Sequence, residues 1–165
     1  MTRSFTAAAL ALLFAAKPLA AAMLLCQTPT ELAAMQLRQL QIELMVAALN
    51  CHGANFDYSG TYAIFVTNAR PSLARNAQQL RGMFTRAGMG AEAIDHYQTE
   101  LSNNAQVKSL SGQDDCGRVA SVLADVARLP AAELGAYAAR AIPTPFGSKA
   151  CAAPVREAAD GRNPS

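Results

Sequence analysis

The segment at positions 28–51, TPTELAAMQLRQLQIELMVAALNC, constrains the fold more than any other part of this chain. Its second half is apolar on every side, which a helix at the centre of a protein needs and a surface helix does not. Two apolar seams run along it at spacings of three and four residues. We therefore expect a central helix that other helices cover. The first seam comprises Leu37, Leu40, Leu44, Ala47 and Cys51, and the second comprises Met35, Ile42 and Leu49.

The rest of the chain supplies amphipathic segments that can cover this helix, and strand signals are scarce. Thr28 and Glu31 form a capping box that begins the first helix. A short second helix follows Asp57, and we expect Pro71 to stop or kink it. The prediction is an all-α single domain, a bundle of about five to six helices. Further helices are predicted at 73–88, at 92–109, from Asp114 or Asp115, and from Pro130.

The N-terminal segment at 1–22 has the pattern of a secretory signal peptide. Arg3 precedes an apolar run, and the small residues at 20–22 suit a signal peptidase. Lys17 and Pro18 interrupt the run before the roughly 18 residues that a membrane-spanning helix needs. We expect cleavage and a periplasmic or secreted protein, with retention as an anchor as the alternative. The layout is then a signal peptide at 1–22, a helical domain at 23–142 and a Pro/Gly/Ala-rich tail at 143–165.

The net charge of +2 disappears with the signal peptide. Arg3 and Lys17 lie within it, whereas every acidic residue lies at or beyond Glu31. The mature chain is close to neutral, so its net charge does not indicate binding to nucleic acid or to an anionic membrane.

The four cysteines of the mature chain are Cys26, Cys51, Cys116 and Cys151. An even number in an exported chain predicts two disulfides. No C-x-x-C occurs, which disfavours a redox centre or a zinc ribbon. Three pairings are possible. We favour Cys51 with Cys116, because one ends the central helix and the other opens a later one, and Cys26 with Cys151 would then join the two ends of the mature chain.

Two groups of polar residues are candidates for chemistry or binding. Glu92, His96 and Glu100 share one helical stripe, which could form a metal site or a hydrolytic site. We favour the simpler interpretation that this stripe is a solvent-exposed helix face. Between Tyr58 and Ala91 the chain has no acidic residue. The basic residues of that segment form a candidate partner surface. They are Arg70, Arg75, Arg81 and Arg86.

Catalytic signatures and cofactor motifs are missing: there is no G-x-S-x-G, no P-loop, no dinucleotide fingerprint and no H-E-x-x-H. The sequence therefore favours a non-enzymatic protein without a cofactor, binding another protein of the cell envelope. The alternative is a carrier of a small ligand or lipid with a cavity between helices. That cavity would be lined by Met35, Met45, Met83 and Phe84.

The runs LQIELMVAALNCHG, YAIFV, LARNAQQLRGMF and AIDHYQTELSNNAQ, with the helix of Cys116, resemble a group of small exported α-helical proteins of Gram-negative bacteria. The resemblance covers about residues 32–140. It implies an exported helical domain in which Cys51 pairs with Cys116, and it carries no catalytic residue to this chain.

Overall fold

The order of elements is that of an all-α protein. A computed structural model describes residues 26–53, 55–110 and 113–151, and these form five helices and two disulfides, which confirms the predicted fold class. The predicted signal peptide and residues 152–165 of the tail lie outside the described residues. The helices are α1 (Pro29–Asn50), α2 (Tyr58–Arg86), α3 (Ala91–Leu110), α4 (Gln113–Arg128) and α5 (Leu134–Ala141).

Helix α1 is the centre of the bundle, as its apolar pattern predicts. It contacts each of the other four helices. Its first turn is closed by the predicted capping box: the Thr28 hydroxyl accepts from the Glu31 amide at 3.3 Å, and the Glu31 carboxylate accepts from the Thr28 amide at 2.8 Å. Most of its two seams is buried, but Leu49 is 68% exposed.

Polar contacts at the helix ends show how the neighbours of α1 are oriented. The Ser59 hydroxyl, at the start of α2, donates to the Ala48 carbonyl near the end of α1 at 3.1 Å. The end of α2 shares an apolar cluster with the start of α1, so the two helices run antiparallel. The side-chain amide of Asn50, at the end of α1, donates to the Gln106 side chain at 2.8 Å and to the Ser109 hydroxyl at 2.9 Å, both near the end of α3. The starts of α1 and α3 also share an apolar cluster, so these two helices run in the same direction.

We predicted that Pro71 stops or kinks the second helix, and the predicted stop is wrong, because one helix, α2, runs from Tyr58 through Pro71 to Arg86. Pro71 lies on the exposed side of the helix. Phe65, Ala69 and Leu73 keep one buried seam on both sides of it. Burial of this seam outweighs the hydrogen bond that proline cannot make.

Two other predicted helix starts are displaced. Helix α4 begins at Gln113, so Asp114 and Asp115 lie inside it and neither is its N-cap. Pro130 opens a turn, in which the Glu133 amide donates to the Pro130 carbonyl at 2.9 Å, and α5 begins only at Leu134. The turn uses proline's fixed φ just as a first helical turn would, so the sequence signal is the same for both.

Both predicted disulfides are confirmed: Cys51 pairs with Cys116, and Cys26 pairs with Cys151. Beside the second, the Gln27 amide donates to the Lys149 carbonyl at 2.7 Å, and the Cys151 amide donates to the Gln27 carbonyl at 3.0 Å. The two ends of the described chain are thus fastened together at the start of α1. Within the described residues, no helix is both long and apolar enough to cross a membrane.

Candidate functional site

The stripe of Glu92, His96 and Glu100 faces solvent on α3. The His96 side chain is 78% exposed and its Nε2 lies 4.0 Å from the Glu100 carboxylate, which is itself 41% exposed. Glu92 is exposed as well. In the described part of the chain, no three His, Cys, Asp or Glu residues are grouped so that they could hold a metal ion.

The four arginines of α2 do not form one free cationic surface. All four are exposed, but Arg86 forms a double hydrogen bond with the Glu31 carboxylate, at 2.7 Å for both Nε and Nη2. This pairing is the main cause that lowers the pKa of Glu31. Arg75 donates to the Ser72 hydroxyl at 3.0 Å. Arg70 and Arg81 remain as exposed members of the predicted partner surface.

An apolar pocket of about 370 Å³ lies where the start of α1, the end of α2, the start of α3 and the chain around Phe146 meet. Three of the four residues predicted to line a cavity do so: Met35, Met83 and Phe84. Met45 packs instead against Ile42 and its neighbours on another face of α1. The other apolar lining comes from Ala87, Met89, Ala93, Tyr97 and Phe146, and the polar lining from Gln27, Arg86, His96 and Glu100.

The turn from α2 to α3 contributes Ala87 and Met89 to the lining of the pocket. Gly88 adopts a φ of 72°, a left-handed conformation that favours glycine, and its amide donates to the Thr85 carbonyl at 2.9 Å. The Met89 amide then donates to the Phe84 carbonyl at 2.9 Å. The turn thereby holds Met89 beside Phe84, and the Phe84 ring lies 5.7 Å from the ring of Tyr97 across the α2–α3 contact.

One wall of the pocket comes from the C-terminal segment, which sequence analysis did not connect with any site. The Phe146 amide donates to the Gln39 side chain at 2.7 Å, and the Lys149 amide donates to the Gln27 side chain at 2.6 Å. Phe146 is 41% exposed and lines the pocket. The available signal was Cys151, which fixes this segment against Cys26.

Tyr97 lines the pocket with an aromatic ring that also carries a polar group. Its hydroxyl is buried and has no hydrogen-bond partner among the described residues. Burial raises the pKa of Tyr97, so the phenol stays neutral and can donate a hydrogen bond.

Comparisons of the chain with protein-family models, with curated proteins and with solved structures found no match.

Proposed function

We propose that this protein is an exported binding protein or carrier for a small, mainly apolar ligand held in the pocket beside the Cys26–Cys151 disulfide. The observation that carries the proposal is the pocket itself. Its volume of about 370 Å³ falls within the size range of small-molecule sites, and apolar side chains dominate its walls. Two disulfides are typical of proteins in an oxidising compartment, which supports export.

The lining suits ligands that vary in shape. Met35, Met83 and Met89 have flexible, polarisable side chains that repack around irregular apolar groups. The rings of Phe84 and Tyr97 add rigid apolar area. Each methylene of a ligand buried there gains about 0.8 kcal/mol, so a short hydrocarbon chain or an aromatic ring system would bind measurably.

A catalytic role has less support from the same geometry. His96 and Glu100 lie at the polar edge of the pocket, but Glu92 does not line it. The three therefore do not converge in a concave site, as a hydrolase built on them would require.

The test is binding of the uncharged fluorescent probe N-phenyl-1-naphthylamine by the purified mature protein. We expect saturable fluorescence enhancement, and we expect Ala93→Phe to weaken it at least about tenfold, because the added ring occupies the pocket. The matched control is Ala63→Phe, which places the same ring on an exposed position of α2 outside the pocket lining. Equal probe binding by both variants would remove the pocket as the site, as would a wild-type protein that does not bind the probe.

A second candidate function is recognition of another envelope protein, favoured by an exposed apolar patch at the shared end of α1 and α3. Leu49, Val107 and Leu110 are 68%, 70% and 72% exposed, and they flank the contacts of Asn50 with α3. Large apolar side chains that are exposed beside a contact between two helices are typical of interaction sites. A photo-crosslinker at Val107 should give one discrete product in the periplasm, whereas the same group at Ala63 should not; matching product patterns would contradict this function.

A further inference from the structure

Arg38 is a half-buried cation in the middle of α1 without an opposite charge. Its Nη1 donates to the Gln41 side chain at 2.9 Å, and its Nε is buried without any hydrogen-bond partner. No carboxylate among the described residues pairs with it. A guanidinium remains charged at any physiological pH, so this arrangement leaves a charge partly removed from water and uncompensated.

The groups around Arg38 add to this imbalance. Burial lowers the pKa of Arg38, and the positive charge of Arg81 lowers it further. The phenols of Tyr62 and Tyr97 act in the opposite direction and raise the pKa of Arg38. Burial raises the pKa of both phenols, so they are neutral and cannot supply the missing negative charge. Apart from the Gln41 side-chain oxygen, the groups around Arg38 are thus two neutral phenols and a second cation, and none of them carries a negative charge.

We propose that Arg38 is the centre of a binding site for an oxyanion group, a carboxylate or a phosphate, with Arg81 and the Tyr97 hydroxyl as secondary groups. The planar guanidinium can bind two oxygens of either group at once, and its free Nε–H is one of the donors that such a fork uses. The Tyr97 hydroxyl, which also has no partner in the described structure, can donate to the same anion. This site needs no apolar ligand, so it stands independently of the proposed carrier function.

The test follows the Arg38 side-chain Nε–H resonance by NMR while sodium phosphate or sodium acetate replaces sodium chloride at constant ionic strength. The resonance is identified by its loss in Arg38→Lys. We expect a saturable shift with phosphate, with acetate, or with both, and the two titrations separate a phosphate site from a carboxylate site. If neither phosphate nor acetate shifts the Arg38 resonance relative to chloride, the proposal is overturned.

Variants then separate anion binding from a packing role. Phosphate or acetate that binds the folded wild type should raise its melting temperature relative to chloride. Arg38→Met should abolish this rise, and it should itself melt higher than the wild type in chloride, because it removes an uncompensated charge. Arg38→Lys keeps the positive charge but lacks the planar guanidinium that binds two oxygens. We expect it to bind the anion at least about tenfold more weakly, measured from the melting temperature as the anion concentration rises. Arg70→Met, at an exposed position of α2, is the control and should behave like the wild type.

Two results would contradict the site. One is an Arg38→Lys protein whose melting temperature rises with phosphate or acetate as much as that of the wild type. The other is an Arg38→Met protein that melts lower than the wild type in chloride and still shows this rise. If Arg38→Met does not fold, the wild-type titration and Arg38→Lys still decide. Tyr97→Phe should reduce anion affinity by a smaller factor than Arg38→Lys, because it removes one neutral donor.

Discussion

The carboxylate of Glu31 makes two structural contacts at once. It accepts from the Thr28 amide in the capping box of α1, and it pairs with Arg86 at the end of α2. The side chain is 13% exposed, whereas Arg86 is 43% exposed, so solvent weakens the charged contact. The capping box was predictable from the residues Thr28 and Glu31 alone. The pairing with Arg86 was not, because it depends on how α2 returns beside α1.

Replacement of Glu31 by Gln isolates the charge, since glutamine can still complete a capping box. The pKa of Glu31 is lowered in the folded protein, so its charge stabilises above the ordinary pKa of a glutamate, and this stabilisation is lost as pH falls through the lowered value. At pH 7 we expect Glu31→Gln to reduce the free energy of unfolding by no more than about 1 kcal/mol. Thermal melts at several pH values should show the difference shrinking below about pH 4.

The control for this measurement is Glu92→Gln, which neutralises an exposed carboxylate on α3 that forms no ion pair in the described structure. Its melting temperature should equal that of the wild type at every pH measured. A Glu31→Gln deficit of the same size at pH 3 and pH 7 would mean that the charge contributes nothing and that only packing changed.

Helix α2 shows how an element can override a local signal. Pro71 lacks the amide that would donate to the carbonyl one turn earlier, yet the helix is unbroken from Tyr58 to Arg86. Because Pro71 is exposed, its ring contributes little to the core. Ser72, the next residue, is buried and donates to the Ala131 carbonyl at 3.0 Å, which fastens this turn of α2 to the segment after α4.

Replacement of Pro71 by Ala should therefore stabilise the protein. The missing amide is restored on an exposed helical position, and we expect the free energy of unfolding to rise by about 1–3 kcal/mol in urea denaturation. The denaturant slope should not change, because the same surface is exposed on unfolding. Pro71→Gly restores the amide without the helix propensity of alanine and should fall about 1 kcal/mol below Pro71→Ala. Destabilisation by Pro71→Ala would show that the packed helix requires the proline.

The same contrast explains which parts of the site were predictable. Met35, Met83 and Phe84 follow from periodicity, because helical spacing places them on inward faces. Met45 lies ten residues beyond Met35, about 15 Å farther along the axis of α1, and it packs in another cluster. Phe146 belongs to no periodic segment. It reaches the pocket through a bond to Gln39, and no local pattern reports a contact so distant in sequence.

At the scale of the whole molecule, the two disulfides hold opposite ends of the bundle. Cys51–Cys116 joins the end of α1 to α4, and the Cys116 carbonyl accepts from the Tyr58 hydroxyl at 3.1 Å at the start of α2. Cys26–Cys151 joins a cysteine two residues before the capping box to the C-terminal segment, whose Phe146 forms part of the pocket wall. The two bridges are therefore expected to have different functional effects.

Removal of each bridge by a pair of alanines should separate stability from binding. Each pair should reduce the free energy of unfolding by about 2–4 kcal/mol, mainly because the unfolded chain gains freedom. Only Cys26→Ala with Cys151→Ala should also weaken binding of N-phenyl-1-naphthylamine, by about tenfold or more, because the wall that contains Phe146 then loses its covalent tether. Fluorescence titration well below both melting temperatures measures this directly. Equal weakening by the Cys51→Ala, Cys116→Ala pair would mean that affinity follows general stability, and that the C-terminal segment does not shape the pocket.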